Sequence, residues 1–140
     1  MEQIFNKLTE LIKNNDEIFL MTHHNPDFDG MGSAIALQQI ITKFKKKSYI
    51  VRNSKDTDKS LNKAYKYMID KNIEHSFINK TESLDKIKEN SLLIILDTQK
   101  EQLLEQPKLL ELTKNVIVLD HHIKSKDSIK AEISYINSNL

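Results

Sequence analysis

Acidic and imidazole side chains stand directly after three apolar segments of this sequence. They are His23, Asp27 and Asp29 after residues 17–22, Asp97 after residues 91–96, and Asp120, His121 and His122 after residues 115–119. Carboxylates brought close together raise one another's pKa unless a counter-charge is present, and a divalent cation supplies that charge. Carboxylate and imidazole ligands without sulfur suit manganese and related ions. This set suggests two metal ions that share a carboxylate, as in hydrolases of phosphate esters.

These side chains converge only if the three apolar segments are neighbouring strands. Short apolar runs predict strands, and helical spacing of apolar residues predicts helices. The predicted strands are 17–22, 48–53, 75–79, 91–96, 115–119 and 132–136, and the predicted helices are 3–14, 31–47, 58–69 and 81–90. Alternation of this kind predicts an α/β fold of three layers, a parallel sheet with helices on both faces, in a single domain. The carboxyl ends of its strands share one edge, where ligands bind.

The composition is that of one domain and narrows the classes of function. Its 140 residues carry 21 basic and 20 acidic side chains, so a general affinity for nucleic acid or an anionic membrane has no support. The lack of cysteine excludes disulfides, thiolate catalysis and cysteine-ligated metals. No stretch approaches the roughly 18 apolar residues of a membrane span. We expect a cytoplasmic protein that forms no stable complex with nucleic acid or membrane.

Each part of the pattern has a plainer interpretation when it is taken alone. An aspartate after a strand, such as Asp29 or Asp97, often caps the next helix, and Pro-Asp followed by a glycine is a common turn signal. A pair of histidines is often ordinary surface. The combination is more specific, because four of the five histidines lie beside acids at two strand ends. Both glycines of the chain, Gly30 and Gly32, lie after the first strand as well.

Two motifs resemble those of the DHH phosphoesterase superfamily. The first is H-x-x-P-D-x-D-x-x-G-S, which runs from His23 to Ser33, and the second is the triplet from Asp120 to His122. Asp97 lies between them, in the order that the superfamily has, and the resemblance covers nearly the whole chain. The stretch from residue 92 to residue 122, with its D-T-x-K sequence, is most similar to the GdpP-type cyclic-di-AMP phosphodiesterases. The resemblance therefore implies a DHH phosphoesterase catalytic domain over residues 1–140.

The resemblance also implies a role for each residue of the two motifs. His23 and Asp27 would hold one manganese ion, Asp29 and His121 the second, and Asp97 would bridge the two. Asp120 would orient His121 from behind, and His122 would face the phosphate and stabilise charge or donate a proton. The implied substrate-binding residues are Ser33, Lys100 and Lys124. Gly30 and Gly32 would lie where the backbone turns tightly and the helix packs close to the first strand.

The sequence departs from the superfamily in one important respect. Superfamily members have a further acidic metal ligand and a smaller substrate-binding domain with a GGGH loop, both downstream of the triplet. Because both glycines are already used in the first motif, we expect that domain to be absent from this sequence and the second metal site to be incomplete.

Three functions follow from this interpretation of the sequence. The first is a manganese-dependent phosphodiesterase that acts on cyclic-di-AMP or its linear dinucleotide by a two-metal mechanism. The second is an enzyme like the nanoRNase and pAp phosphatases, which Gly30 and Ser33 favour. The third is a truncated DHH domain that binds metal or nucleotide without turnover. A small nucleotide, either a cyclic dinucleotide or a short oligonucleotide, is the expected partner. The sequence is also compatible with a homodimer.

Overall fold

A computed structural model describes residues 2–24, 28–52, 77–131 and 133–136, together with positions 63, 66–67 and 70–71. Within these ranges six strands form one sheet. They are β1 (Glu17–Met21), β2 (Lys47–Arg52), β3 (Phe77–Asn79), β4 (Leu92–Leu96), β5 (Asn115–Asp120) and β6 (Ile133–Ile136). Their order is β3-β2-β1-β4-β5-β6, and every neighbouring pair is parallel. The predicted parallel α/β fold is confirmed.

The helices lie on both faces of this sheet. They are α1 (Glu2–Lys13), α2 (Phe28–Lys43), α3 (Lys80–Lys86) and α4 (Leu109–Leu112), with a short 3₁₀ helix at Glu101–Leu103. On one face, Ile18 and Leu20 of β1 join a buried cluster with residues of α1 and α2. On the other face, Phe19 and Met21 join a cluster with residues of α3 and α4. The alternation of side chains along one strand thus divides the core into the two outer interfaces of a three-layer fold.

The strand order places a crevice beside β1 and β4. The chain runs from β1 outward through β2 to β3 and then returns to β4 on the other side of β1. The connections therefore leave β1 and β4 in opposite directions. In open parallel sheets, ligands bind outside the carboxyl ends of the strands at this point of reversal. His23 and Asp97 follow these two strands in the sequence.

Two helices have boundaries that differ from the predicted ones by more than one residue. α2 begins at Phe28 rather than residue 31, and it ends at Lys43, just before Lys45 takes a left-handed φ of 60° that a helix cannot continue through. α3 begins after Asn79, whose side chain accepts a hydrogen bond from the Glu82 amide at 2.7 Å. It ends before Ile87, which is extended and packs into the core. The predicted helix at 58–69 lies outside the described residues, apart from positions 63 and 66–67.

Candidate metal centre at the carboxyl edge of the sheet

Three strands end level with one another at the carboxyl edge of the sheet. The register pairs Met21 of β1 with Ile95 of β4. His23 lies two residues after Met21, and Asp97 lies two residues after Ile95. β4 and β5 are likewise in register up to the residues just before Asp97 and Asp120. Continued by one or two residues, this register places the three side chains in one row across β1, β4 and β5. The sheet itself therefore brings together groups that are far apart in sequence.

The carboxylate of Asp97 lies between two imidazoles. His121 Nε2 donates a hydrogen bond to Asp97 Oδ1 at 2.6 Å, and His23 Nε2 lies 3.6 Å from Asp97 Oδ2. Asp97 is only 8% exposed, and burial of a carboxylate is costly unless it is paired or bound to a metal. Its φ of 63° lies in the left-handed region, which non-glycine residues adopt at a cost and which is frequent at functional sites.

A second acid and imidazole pair lies beside the first. His122 Nδ1 donates to Asp120 Oδ1 at 2.6 Å, and the backbone N–H of His121 donates to the same oxygen at 2.9 Å. Asp120 is 3% exposed. The sequence predicted that Asp120 orients the ring of His121, whereas the structure places the Asp120 carboxylate against the ring of His122. The two imidazole rings lie next to each other, with their centroids 4.4 Å apart.

The segment after the 3₁₀ helix holds the backbone at His23 in place. It runs antiparallel to residues 22–24, where the His24 amide donates to Leu103 O at 2.7 Å and the Glu105 amide donates to Thr22 O at 3.1 Å. The ring of His23 is oriented by its own neighbour, because Nδ1 lies 2.9 Å from the carbonyl oxygen of His24. This contact makes Nδ1 the protonated nitrogen and leaves Nε2 as the ring atom on the Asp97 side.

A cavity of about 680 Å³ opens over this row of side chains. His23, Asp97, Asp120 and His122 contribute to its wall. Its volume falls within the range of small-molecule sites. Other parts of the wall are basic or apolar, and they come from Lys100, Leu103, Ile123 and Lys124. The two lysines that the sequence predicted as substrate-binding residues therefore line the same cavity as the acids and histidines.

The loop that follows the triplet forms one wall of the cavity and is internally hydrogen-bonded. The hydroxyl of Ser125 donates to Asp127. This bond, together with the backbone amide of Asp127 and the positive charge of Lys100, lowers the pKa of the Asp127 carboxyl below its usual value. The amide of Ile129 donates to Gln99 O at 2.7 Å, which ties the far end of the loop to the residues after β4.

Not every predicted site residue lies in the cavity wall or within the described part of the chain. Ser33 is exposed on α2 and does not contribute to the cavity wall. Because α2 begins five residues earlier, the backbone N–H of Ser33 lies beyond the first-turn amides that can receive an anion. Asp27 lies outside the described residues. Asp29 lies in the first turn of α2, and its side chain is outside the described part of the chain.

The expectation for Gly32 is corrected by the structure. Gly32 lies inside α2, and no described glycine has a positive φ. A Cβ built at Gly32 has nothing within 4 Å. Neither a tight turn nor a close approach to the first strand therefore requires glycine at this position.

Two buried polar residues near the site have no signal in the sequence. Gln99 is 3% exposed and Glu105 is 2% exposed, and both follow β4. Gln99 is the variable position of the D-T-x-K sequence, so the resemblance gives it no role. Its side chain donates to Asp120 Oδ2 at 2.9 Å, a contact across 21 positions of sequence that only the folded sheet reveals.

The donor set fits a hard or borderline divalent cation. One ligand atom from each of Asp97, Asp120, His121 and His122 lies within 4.8 Å of the others. His23 adds a ring nitrogen on the other oxygen of Asp97. All of these atoms are carboxylate oxygens or imidazole nitrogens, the ligands that manganese and zinc accept. The buried charge of Asp97 supplies the electrostatic reason for a cation to bind there.

Comparison with known proteins identifies the family of this chain. Residues 17–140 match the model of the DHH family, N-terminal domain. The chain belongs to the DHH family. The matched range includes the whole row from His23 to the triplet Asp120-His121-His122, and the resemblance read from the two motifs is confirmed.

The DHH domain described here has relatives among much longer proteins. It is 30% identical over 90% of its length to "Cyclic-di-AMP phosphodiesterase PdeA" of Listeria monocytogenes, and 29% identical over 93% to "Cyclic-di-AMP phosphodiesterase GdpP" of Geobacillus thermodenitrificans. It is 36% identical over 94% of its length to "Membrane protein-large ribosomal subunit bL9 fusion protein" of Onion yellows phytoplasma. These alignments cover 19%, 20% and 16% of the relatives. The chain thus spans a fifth or less of their length.

A solved structure shares the fold of this DHH domain. It is an exopolyphosphatase-related protein from Bacteroides fragilis, with a TM-score of 0.65 at 18% sequence identity over the whole of this chain and 40% of that one. In the described ranges, no helix has the length and apolar character needed to cross a membrane.

Proposed function

We propose that this DHH domain is the catalytic domain of a manganese-dependent phosphodiesterase that hydrolyses cyclic-di-AMP or its linear dinucleotide. One observation carries the proposal: the buried carboxylate of Asp97 lies between His23 and His121 in the wall of a cavity that basic side chains also line. The relatives named as cyclic-di-AMP phosphodiesterases, at 29% and 30% identity, support the substrate class.

In the proposed mechanism Asp97 would contribute to both manganese sites. His23 lies on the side of its Oδ2 and His121 on the side of its Oδ1. His23 and Asp97 would hold one manganese ion, and Asp97 and His121 the other. The family resemblance adds Asp27 to the first site and Asp29 to the second. Bound manganese supplies Lewis acidity, which neutralises phosphate charge and lowers the pKa of water.

His122 is the group best placed to act on the phosphate itself. It lines the cavity, and its Nδ1 is held by the buried carboxylate of Asp120. Cleavage of a phosphodiester breaks a P–O bond, so negative charge builds up on the phosphate and on the leaving oxygen. An imidazolium beside a carboxylate can stabilise that charge or give its proton to the leaving oxygen. In the proposed mechanism His122 performs this step, and Asp120 fixes the orientation of its ring.

The rest of the cavity wall suits a nucleotide. Lys100 and Lys124 place positive charge beside the acids and histidines, where the phosphate would lie. Leu103 and Ile123 line the same cavity and are 41% and 83% exposed. Exposed apolar side chains of this kind offer a surface on which the flat face of a nucleobase can pack.

Turnover of three nucleotides tests the proposal. The chain is incubated with manganese and with cyclic-di-AMP, pApA or pAp in turn, and the products are quantified. We expect cleavage of cyclic-di-AMP or pApA, and a fall of more than about 100-fold in Asp97→Asn, because a group that acts at the reacting phosphate is lost. Asp85→Asn, an exposed acid of α3, is the matched control and should retain full activity.

The same assay separates the competing functions. Turnover of pAp alone would contradict the proposed substrate and indicate a phosphatase of the nanoRNase type. No turnover of any of the three nucleotides would contradict an enzymatic function for the chain and leave a binding module. Equal loss of activity in Asp97→Asn and Asp85→Asn would contradict the assigned site.

A further inference from the structure

Gln99 is a buried polar residue whose side-chain amide is hydrogen-bonded to residues that line the cavity of the candidate site. It lies two positions after Asp97 and is 3% exposed. Its Nε2 donates to Asp120 Oδ2 at 2.9 Å and to the carbonyl oxygen of Ile123 at 3.0 Å. Its Oε1 accepts from the backbone N–H of Ser125 at 2.8 Å.

These partners determine which way the amide of Gln99 points. Nε2 faces a carboxylate oxygen and a carbonyl oxygen, which can only accept, and Oε1 faces a backbone N–H, which can only donate. A flipped amide would place Oε1 against two acceptors and Nε2 against a donor, and would lose all three bonds. Neither a carboxylate nor an apolar side chain of the same size can satisfy this combination.

Through Asp120, Gln99 acts on the orientation of His122. Gln99 holds Oδ2 of Asp120, while Oδ1 accepts from His122 Nδ1 and from the backbone N–H of His121. With both oxygens accepting, Asp120 cannot rotate away from His122 without the loss of a buried hydrogen bond, which costs more than an exposed one. The His122 ring is therefore held with Nδ1 on Asp120, and Nε2 is the ring nitrogen that this contact does not use.

The same side chain fixes the loop that carries Lys124. Its bonds to Ile123 O and Ser125 N are made to the residues on either side of Lys124. All three residues line the cavity. The loop would otherwise be attached at this point by few contacts, since residues 121–124 are exposed. The buried amide of Gln99 thus connects Asp120 with the part of the cavity wall formed by residues 123–125.

We propose that Gln99 is a positioning residue, which sets the orientation of His122 through Asp120 and at the same time holds the Ile123–Ser125 wall in place. The effect on turnover rests on the proposed phosphodiesterase function. The effect on the loop does not, because it concerns hydrogen bonds of the chain alone. The two parts can therefore be tested separately.

Two variants of nearly equal volume separate the two contacts. Gln99→Met removes both of them. Gln99→Glu keeps an acceptor for the Ser125 amide, loses the donor to Ile123 O, and places a carboxylate against Asp120, so that like charges repel. Gln3→Met and Gln3→Glu, on the exposed face of α1, are the matched controls. Circular dichroism and urea unfolding confirm that each full-length variant is folded.

Amide hydrogen exchange tests the contact with the loop. It is measured by NMR with magnesium added, since manganese broadens the signals. In Gln99→Met we expect Ser125 to exchange about tenfold faster or more, because the acceptor of its N–H is lost. Ile129 should be unchanged, since it donates to the main-chain oxygen of Gln99, which the substitution retains. An unchanged rate at Ser125 would overturn the proposed role in the loop.

Steady-state kinetics with manganese and the nucleotide that the chain turns over tests the contact with Asp120. In Gln99→Glu we expect kcat to fall by about 10- to 100-fold, the usual effect of losing a group behind a reacting residue, while KM rises less than in Gln99→Met because the Ser125 bond is kept. In Gln99→Met we expect kcat to fall and KM to rise, since the wall is released as well. A kcat of Gln99→Glu equal to that of Gln3→Glu would overturn the positioning role. If the wild-type chain turns over none of the nucleotides, the proposed function fails and the exchange at Ser125 alone decides on Gln99.

Discussion

At the scale of single residues, Asp97 combines three properties that rarely occur together. It is buried, it has an imidazole on each carboxylate oxygen, and its backbone is left-handed. The left-handed conformation costs about 1–2 kcal/mol in a non-glycine residue, although aspartate and asparagine tolerate it best. The left-handed backbone and the buried carboxylate of Asp97 both cost free energy of folding. The residue is therefore better explained by the chemistry of its side chain than by its contribution to folding.

The backbone strain at Asp97 can be measured by comparing two truncations. Asp97→Gly and Asp97→Ala both remove the carboxylate, but only alanine keeps the Cβ that the left-handed region disfavours. We expect the glycine variant to be more stable by about 1 kcal/mol in urea unfolding. At Asp85, within α3, the order should be reversed, because alanine favours a helix over glycine. An alanine variant at position 97 as stable as the glycine variant would contradict the strain.

At the scale of secondary structure, the strands were predictable because β1, β4 and β5 are short apolar runs that end at a charged or polar residue. The ends of the helices were less predictable than the strands. Residues 43–47 contain four lysines, which favour helices, and nothing in the sequence marks Lys45 as the residue that turns left-handed and ends α2. The contacts of Gln99 and Asp120 were not predictable, since they depend on the loop after β5 folding back onto the residues after β4.

The corrected environment of Gly32 leads to a prediction for α2. Glycine within a helix costs about 0.5–1 kcal/mol relative to alanine, and a Cβ at this position meets no neighbour. We therefore expect Gly32→Ala to raise the free energy of unfolding by about that amount. Ala36→Gly, an exposed position of the same helix, should lower it by a similar amount. Destabilisation by Gly32→Ala would show that α2 needs glycine for a reason other than the space around it.

At the scale of the whole domain, the fold explains why the site lies where it does. The strand order β3-β2-β1-β4-β5-β6 reverses direction between β1 and β4, and the parallel register continues into the row of His23, Asp97 and Asp120. The order of motifs along the chain therefore becomes an order of side chains across the sheet. The two motifs and Asp97 all stand at strand ends in the sequence. This topology brings such strand ends together, which is why the sequence could predict that they converge.

In the proposed metal centre the ligands come from three strands, and manganese occupancy should depend on Asp97, which both ions would share. Isothermal titration of manganese into the wild type, Asp97→Asn and Asp85→Asn tests this claim directly. Asparagine tolerates the left-handed backbone of Asp97, so the variant should fold while it loses the shared charge. We predict that Asp97→Asn weakens every manganese-binding event of the wild type by at least about tenfold, whereas Asp85→Asn changes none of these events. Manganese binding by Asp97→Asn that is indistinguishable from the wild type would contradict a metal centre built on Asp97.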